Sequence, residues 1–466
     1  EGSVNVTSET GAVTLTGDVS SGKAVYVKTT SGDIKLTGDV TTDTPEKAAT
    51  PAEETPAKAK RILRAPMAVP QNGFIVESGT GTITASGDIT AAGGPATLMT
   101  DTGDINYTGT MSTSGDILFQ TRLGNIHAGG EDNASSLTST GGTAVLQTTG
   151  NTTDEKGNII LYGSVSSSGG TTLSTNEAGN IIVSGSLLTT GEGDVTAKTK
   201  KGIISLAAGS AADPVIASGK DIILETENGG ISTTGSMTAS KGITVDAGEA
   251  SVILTGAIEG RDGLVTIHAA DTDNTESLGN IEVYGNVTSG TGAVSITTDG
   301  GSITLGKATA PIGIKAGTTA DIETDKGDIT IGGVLTTKKG AKILARTKGD
   351  LSINGKVASE GGNVEVTTPE GTISLAKTAS EETIIDSAGT ALIDTGAGNI
   401  LLDGNIESGL AATIDTAKGY ISQAGDILSG GLLTIHASNP DEDETAGNII
   451  LKGNVTSSGD AVSITT

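Results

Sequence analysis

The chain has no cysteine and no tryptophan, and only five tyrosines and two phenylalanines in 466 residues. Without cysteine there can be no disulfide, no Cys-ligated zinc, no iron–sulfur cluster and no thiol catalysis. So few rings argue against a conventional globular core of this size. No apolar run approaches the roughly 20 residues of a membrane span, so membrane insertion is not expected. Positive charge is also scarce: 28 basic against 55 acidic residues give a net charge of −27. Binding to nucleic acid or to an anionic membrane needs a basic face, and the composition disfavours both. No signal peptide opens the sequence at Glu1. The repeat described below is already running at both termini, which suggests a mature or excised segment of something longer.

Glycine is abundant, with 70 residues, and small turn residues and β-branched residues fill most of the rest. Their order is informative. The stretch Gly279–Asp299 reads GNIEVYGNVTSGTGAVSITTD. Ile281, Val283, Val287, Val294 and Ile296 alternate with polar residues, the period-2 pattern of strands with one buried face. One such unit cannot bury that face alone, whereas a stack can.

A glycine with Ile, Val or Leu two positions later indexes each unit. Seventeen glycines from Gly11 to Gly447, with Ala250 filling one gap, mark 18 units. The commonest steps are 21, 22 or 23 residues; longer steps are the same unit plus a loop. A unit of about 22 residues holds three short strands and three turns. In the unit at Gly349 the strands are expected at 350–353, around Lys356–Ala358, and at Val364–Thr367, with bends at Gly355 and Gly361–Gly362. The recurrent Gly-Asn and Gly-Asp pairs suit turns that need positive φ. Three strands per turn, each stacked on its counterpart in the next turn, make a parallel β-helix. At about 4.8 Å per rung, 18 rungs would span roughly 85–90 Å.

Residues 1–41 are expected as β-helix rungs, 42–72 as an insertion, and 73–466 as a continuous β-helix. The insertion, Thr42–Asn72, holds five of the ten prolines, which remove ladder donors. Arg61, Ile62, Leu63 and Arg64 within it are candidate partner-docking residues. The stretch Glu131–Lys156 is expected as a second loop. Ala207–Ala217, Lys307–Ile314 and Lys377–Ser387 follow first strands and should project from equivalent corners, a place where binding residues vary. A longer repeat is also present: 264–298 and 432–466 match at 21 of 35 positions, seven units apart.

Candidate chemistry is sparse. His268 and His436 occupy the same place in the duplicated block and should point outward as solvated strand residues; His127 is the third histidine. Asp271, Asp273 and Glu276, and in the matching loop Asp441 and Asp443, could supply hard oxygen ligands for Ca²⁺, although neither loop has the EF-hand pattern. No other cofactor is expected. The tyrosines (26, 107, 162, 284 and 420) and phenylalanines (74 and 119) are too scattered to form a sugar-binding platform, so no catalytic residue is assigned and enzyme activity is not expected.

The forms GDIxLxGDV at Gly32–Val40 and GNIxVxGNV at Gly279–Val287 resemble the degenerate repeats of bacterial filamentous-haemagglutinin-type exoproteins and large surface adhesins. The resemblance covers nearly the whole chain except Thr42–Asn72. It implies a right-handed β-helical stalk that is secreted or held on the bacterial cell surface. The expectation is therefore an all-β, right-handed parallel β-helix acting as a non-enzymatic, extracellular structural or adhesive rod. Its partner would be a receptor or glycan on a host or neighbouring cell, or copies of itself. Self-assembly into a surface layer, sheath or filament is the second reading, and a carbohydrate-active enzyme on the same scaffold the third.

Overall fold

The computed structural model describes residues 2–43, 72–150, 157–176, 178–208, 214–271, 279–438 and 447–466. Among them there is no helix, and the strands named below pair in parallel. The chain is a parallel β-helix. Fourteen of the 18 indexing positions head three strands, in the order the alternation implies, and at Gly157, Gly179, Gly327 and Gly349 the first two run together as one. The fold divides into two compact units, Glu1–Thr196 and Ala197–Thr466. That boundary falls inside the stretch expected to be continuous. Rungs contact only their neighbours, so a uniform repeat pattern gives no sign of a boundary.

In the first unit the third strands form one parallel sheet. Val27, Val76, Leu98, Phe119, Leu146 and Leu173 sit one above another in register. In the second unit Leu224, Val245 and Ile267 open an equivalent column, and Ile296, Ile322, Ile343, Val366 and Ile393 continue it. These side chains are buried. Full burial of each Ile, Leu or Phe is worth about 1.5–3 kcal/mol, so in-register stacking of like residues dominates the stability. Aromatic bulk is confined to the first unit's interior, where Phe74, Tyr107 and Phe119 are buried and Tyr107 meets Phe119 edge-on with ring centroids 5.8 Å apart.

First and second strands belong to a second parallel sheet. At Gly349 the expected bend at Gly355 does not interrupt the strand, which runs through it as Leu351–Ser359 and pairs without a break with Ile329–Thr337. Gly355 has φ of 148°. That conformation, open to glycine, turns the chain while the ladder continues.

The indexing glycines are explained less by positive φ than by crowding. Gly327 does not have a left-handed φ, yet a Cβ there would lie 2.1 Å from the carbonyl oxygen of Gly301 on the rung before. Successive corners stack backbone on backbone, and only hydrogen fits between them.

Two polar devices finish the corners. A Ser or Thr three residues before many indexing glycines points inward and clips adjacent corners together. Thr298 Oγ1 donates to the Gly279 carbonyl at 2.6 Å and accepts from the Gly301 amide at 3.2 Å. Thr100 does the same between Gly81 and Gly103 in the first unit. The Asp or Asn after a corner glycine accepts from the backbone one rung on: Asp350 N–H donates to Asp328 Oδ1 at 2.8 Å, and Thr372 N–H to Asp350 Oδ1 at 2.7 Å. Corner N–H groups that leave the ladder are satisfied in this way.

Most of the expected insertion lies outside the described residues. The strand Ala24–Thr29 pairs directly with Gly73–Ser78, so the rungs on either side of it close up. Glu131–Lys156, expected as a loop, instead contains the strands Ser135–Ser139 and Thr143–Thr148. The Ser and Thr residues of these two strands, which look like loop composition, occupy the inward corner positions and outward ladder positions of an ordinary rung.

Candidate functional site

At seven of the 18 corners between first and second strands a Gly-Asx pair turns the chain, and at seven others a glycine followed by a different residue does so. At three described corners the chain instead makes a small nub closed by an antiparallel bridge. Gly130 pairs with Asn133 in the first unit; Lys307 pairs with Ala310 and Thr378 with Glu381 in the second. The two bonds closing the second nub are Lys307 N–H to the Ala310 carbonyl at 3.1 Å and the reverse at 2.9 Å. The strands resume at Ile312 and Thr383, so these projections are shorter than the sequence suggests. The nub at Gly130 was hidden inside the misread stretch. Its signal was Gly129, which has φ of 81°, as Gly306 before the second nub has φ of 68°. Lys307 lies over the Tyr284 ring at 4.7 Å, and the Tyr284 hydroxyl donates to Glu282 Oε2 at 2.7 Å. A cation held over a ring and a carboxylate beside it therefore flank this nub. Part of 207–217 falls outside the described residues.

The outer face of the third strands carries the second unit's ionisable groups in columns. His268 Nδ1 lies 2.9 Å from Asp246 Oδ1 on the rung before, and its Nε2 lies 3.6 Å from Asp299 Oδ1. The duplicated His436 shares the first contact, with Nδ1 2.6 Å from Asp415 Oδ1. The expectation of outward-facing histidines holds, but both rings are paired rather than merely solvated. The Asp246 hydrogen bond, outweighing burial, raises His268 above its ordinary pKa. On the same face burial, then the Asp415 and Glu365 carboxylates, raise Asp394. Glu323, largely buried, is held by Lys342 at 2.9 Å and by Arg346. Burial and Glu323 raise Asp321 beside it.

At the corner before the first strand, Ser302, Asp328, Asp350, Glu370, Lys326 and Lys348 border an open polar groove of about 440 Å³. Two of its carboxylates, Asp328 and Asp350, already accept ladder amides, as above.

Of the Ca²⁺ candidates, Asp271 is placed. It is 3% exposed, and a Cβ on Gly300 would come within 2.6 Å of its Oδ2, so the carboxylate is turned against the next rung's corner. Asp273, Glu276, Asp441 and Asp443 lie outside the described residues, as do Arg61, Ile62, Leu63 and Arg64. Among the described residues no three His, Asp or Glu side chains converge as a metal-ligand set. No helix among them is long and apolar enough to cross a membrane. No family model, no curated protein and no solved structure matches the chain.

Proposed function

We propose that the chain is a non-enzymatic structural and adhesive segment of an extracellular protein of the bacterial cell surface, similar to the filamentous-haemagglutinin-type exoproteins. The reading rests on one observation: the nubs replace the plain glycine turn at the corner between first and second strands and leave the ladders beside them intact. A scaffold whose corner amides are bonded within the stack, yet which lets short segments project at one corner, is suited to holding contact points at fixed spacings. Each nub offers only a few groups, so contacts would be individually weak and gain strength by being made together. The partner is a receptor or glycan on another cell. The absence of cysteine and the acidic surface suit an exposed protein, without fixing its compartment.

Replacing Lys307–Pro311 and Thr378–Glu382 with the Gly-Asx corner used elsewhere tests this. The trimmed chain should keep its far-ultraviolet spectrum and unfolding midpoint, and lose binding to glycan arrays and cultured cell surfaces that the intact chain binds. Binding that survives trimming would overturn the assignment to the nubs.

A further inference from the structure

Around the second strands of the second unit, charge is sorted by sign along the stacking direction. Lys315, on the outward face of Ile312–Ala316, and Lys338 and Lys339, at the corner after Ile329–Thr337, occupy two consecutive rungs. All three are exposed and have no ion-pair partner among the described residues. The next three rungs carry Glu360 at the same corner, then Asp386 and Glu407 on the outward face, with one cation, Lys356, among them. Register ties the series together. Lys315 neighbours Thr336, and Asp386 lies between Ala358 and Glu407. Glu360 N–H donates to the Thr337 carbonyl. With rungs about 4.8 Å apart, the strip from Lys315 to Glu407 is about 19 Å long. Only Asp386 is partly neutralised, by Lys356 at 2.8 Å.

A strip with cations at one end and anions at the other is complementary to itself when reversed. We propose that this strip is a side-to-side docking surface for a second copy of the chain, arranged antiparallel about a two-fold axis between the rungs of Gly327 and Gly349. That axis sets Lys338 and Lys339 of one copy against Glu360 of the other, and Lys315 against Asp386. Both sets of contacts are made twice, as a two-fold interface requires. The corner between the charged ends is lined by small residues, Gly361 and Ala388, which let the two surfaces approach.

The net charge of −27 opposes association of any two copies. It selects for a site where the local sign is reversed, and distant repulsion is screened beyond about 8 Å at physiological ionic strength. A single exposed pair is worth little, so the proposal depends on several pairs acting in one register. It is independent of whether the corner nubs bind a receptor.

Sedimentation of the full chain over a concentration series at physiological salt tests it. The wild type should show a monomer–dimer equilibrium. Two charge reversals, K338E/K339E and E360K, should each weaken self-association about tenfold or more. All three residues are surface groups, so folding should be unchanged by circular dichroism. An equimolar mixture of the two reversed chains should associate at least as well as the wild type, because each restores the other's complement. A wild type that stays monomeric, variants that associate as the wild type does, or a mixture that fails to associate would each overturn the proposal.

Discussion

His268 shows what a parallel ladder does to an ionisable residue. A side chain on the outer face of a rung is held about 4.8 Å from the residues above and below it, whether or not their charges agree. For His268 they agree, with Asp246 on the rung before and Asp299 at the next corner. Its folded-state pKa is raised. The protonated ring therefore adds stability that is fully present below the unfolded value, about 6.5, and is lost as pH rises through the folded value. Comparing wild type with H268Q by urea unfolding should show the larger stability loss near about pH 5.5 and a smaller one near about pH 8.5. A difference that does not change with pH would mean that His268 acts by packing alone. For Asp394 the ladder works the other way: burial and the carboxylates of Asp415 and Glu365 make its ionised form costly.

At the level of the rung, one short motif does three jobs. The glycine admits the neighbouring corner, the Asp or Asn caps the next rung's amide, and the following Ile or Val starts the buried column. The cap is separable from the charge. Asp350→Asn keeps an acceptor for the Thr372 amide, whereas Asp350→Ala leaves that exposed amide to water. We expect the alanine variant to lose about 0.5–1.5 kcal/mol and the asparagine variant to stay close to wild type, both read from chemical denaturation midpoints. Equal losses would mean that the carboxylate works through charge rather than as a cap. The motif also explains what could be read in advance. Glycine spacing and the Ile/Val alternation are local signals, and they gave the rungs and the column of Ile267 and Ile296. The clip made by Thr298 was not legible, because threonine is equally common on the outward ladder and only the structure separates the two uses. The nub at Gly130 was missed for a similar reason: Ser135–Ser139 and Thr143–Thr148 have the composition of a loop and the register of a rung. At two of the nubs, sequence gave the corner and stretches that contain the projecting residues but run too long, since the length of a nub depends on where the next strand rejoins the ladder.

For the molecule as a whole, the governing fact is that each rung is stabilised by the two beside it, and hardly at all by rungs further along the stack. A lesion should therefore spread only a short way, and unfolding should depart from a single all-or-none transition. Gly327 provides the sharpest test. A methyl group there would meet the Gly301 carbonyl oxygen at 2.1 Å, a backbone atom that no rotamer change can move aside. Gly327→Ala should force the stacked corners apart and cost about 2–4 kcal/mol locally. By hydrogen exchange, amides of Ile303–Leu305, Ile329–Thr337 and Leu351–Ser359 should lose protection. Amides of Ile105–Thr108 and Thr143–Thr148, in the first unit, should exchange as in the wild type. Protection lost evenly across both units would show a single cooperative fold and would contradict the nearest-neighbour account. Loss confined to the rungs of Gly301, Gly327 and Gly349 would show that the chain tolerates damage rung by rung, which suits a scaffold that must keep its other corners in place.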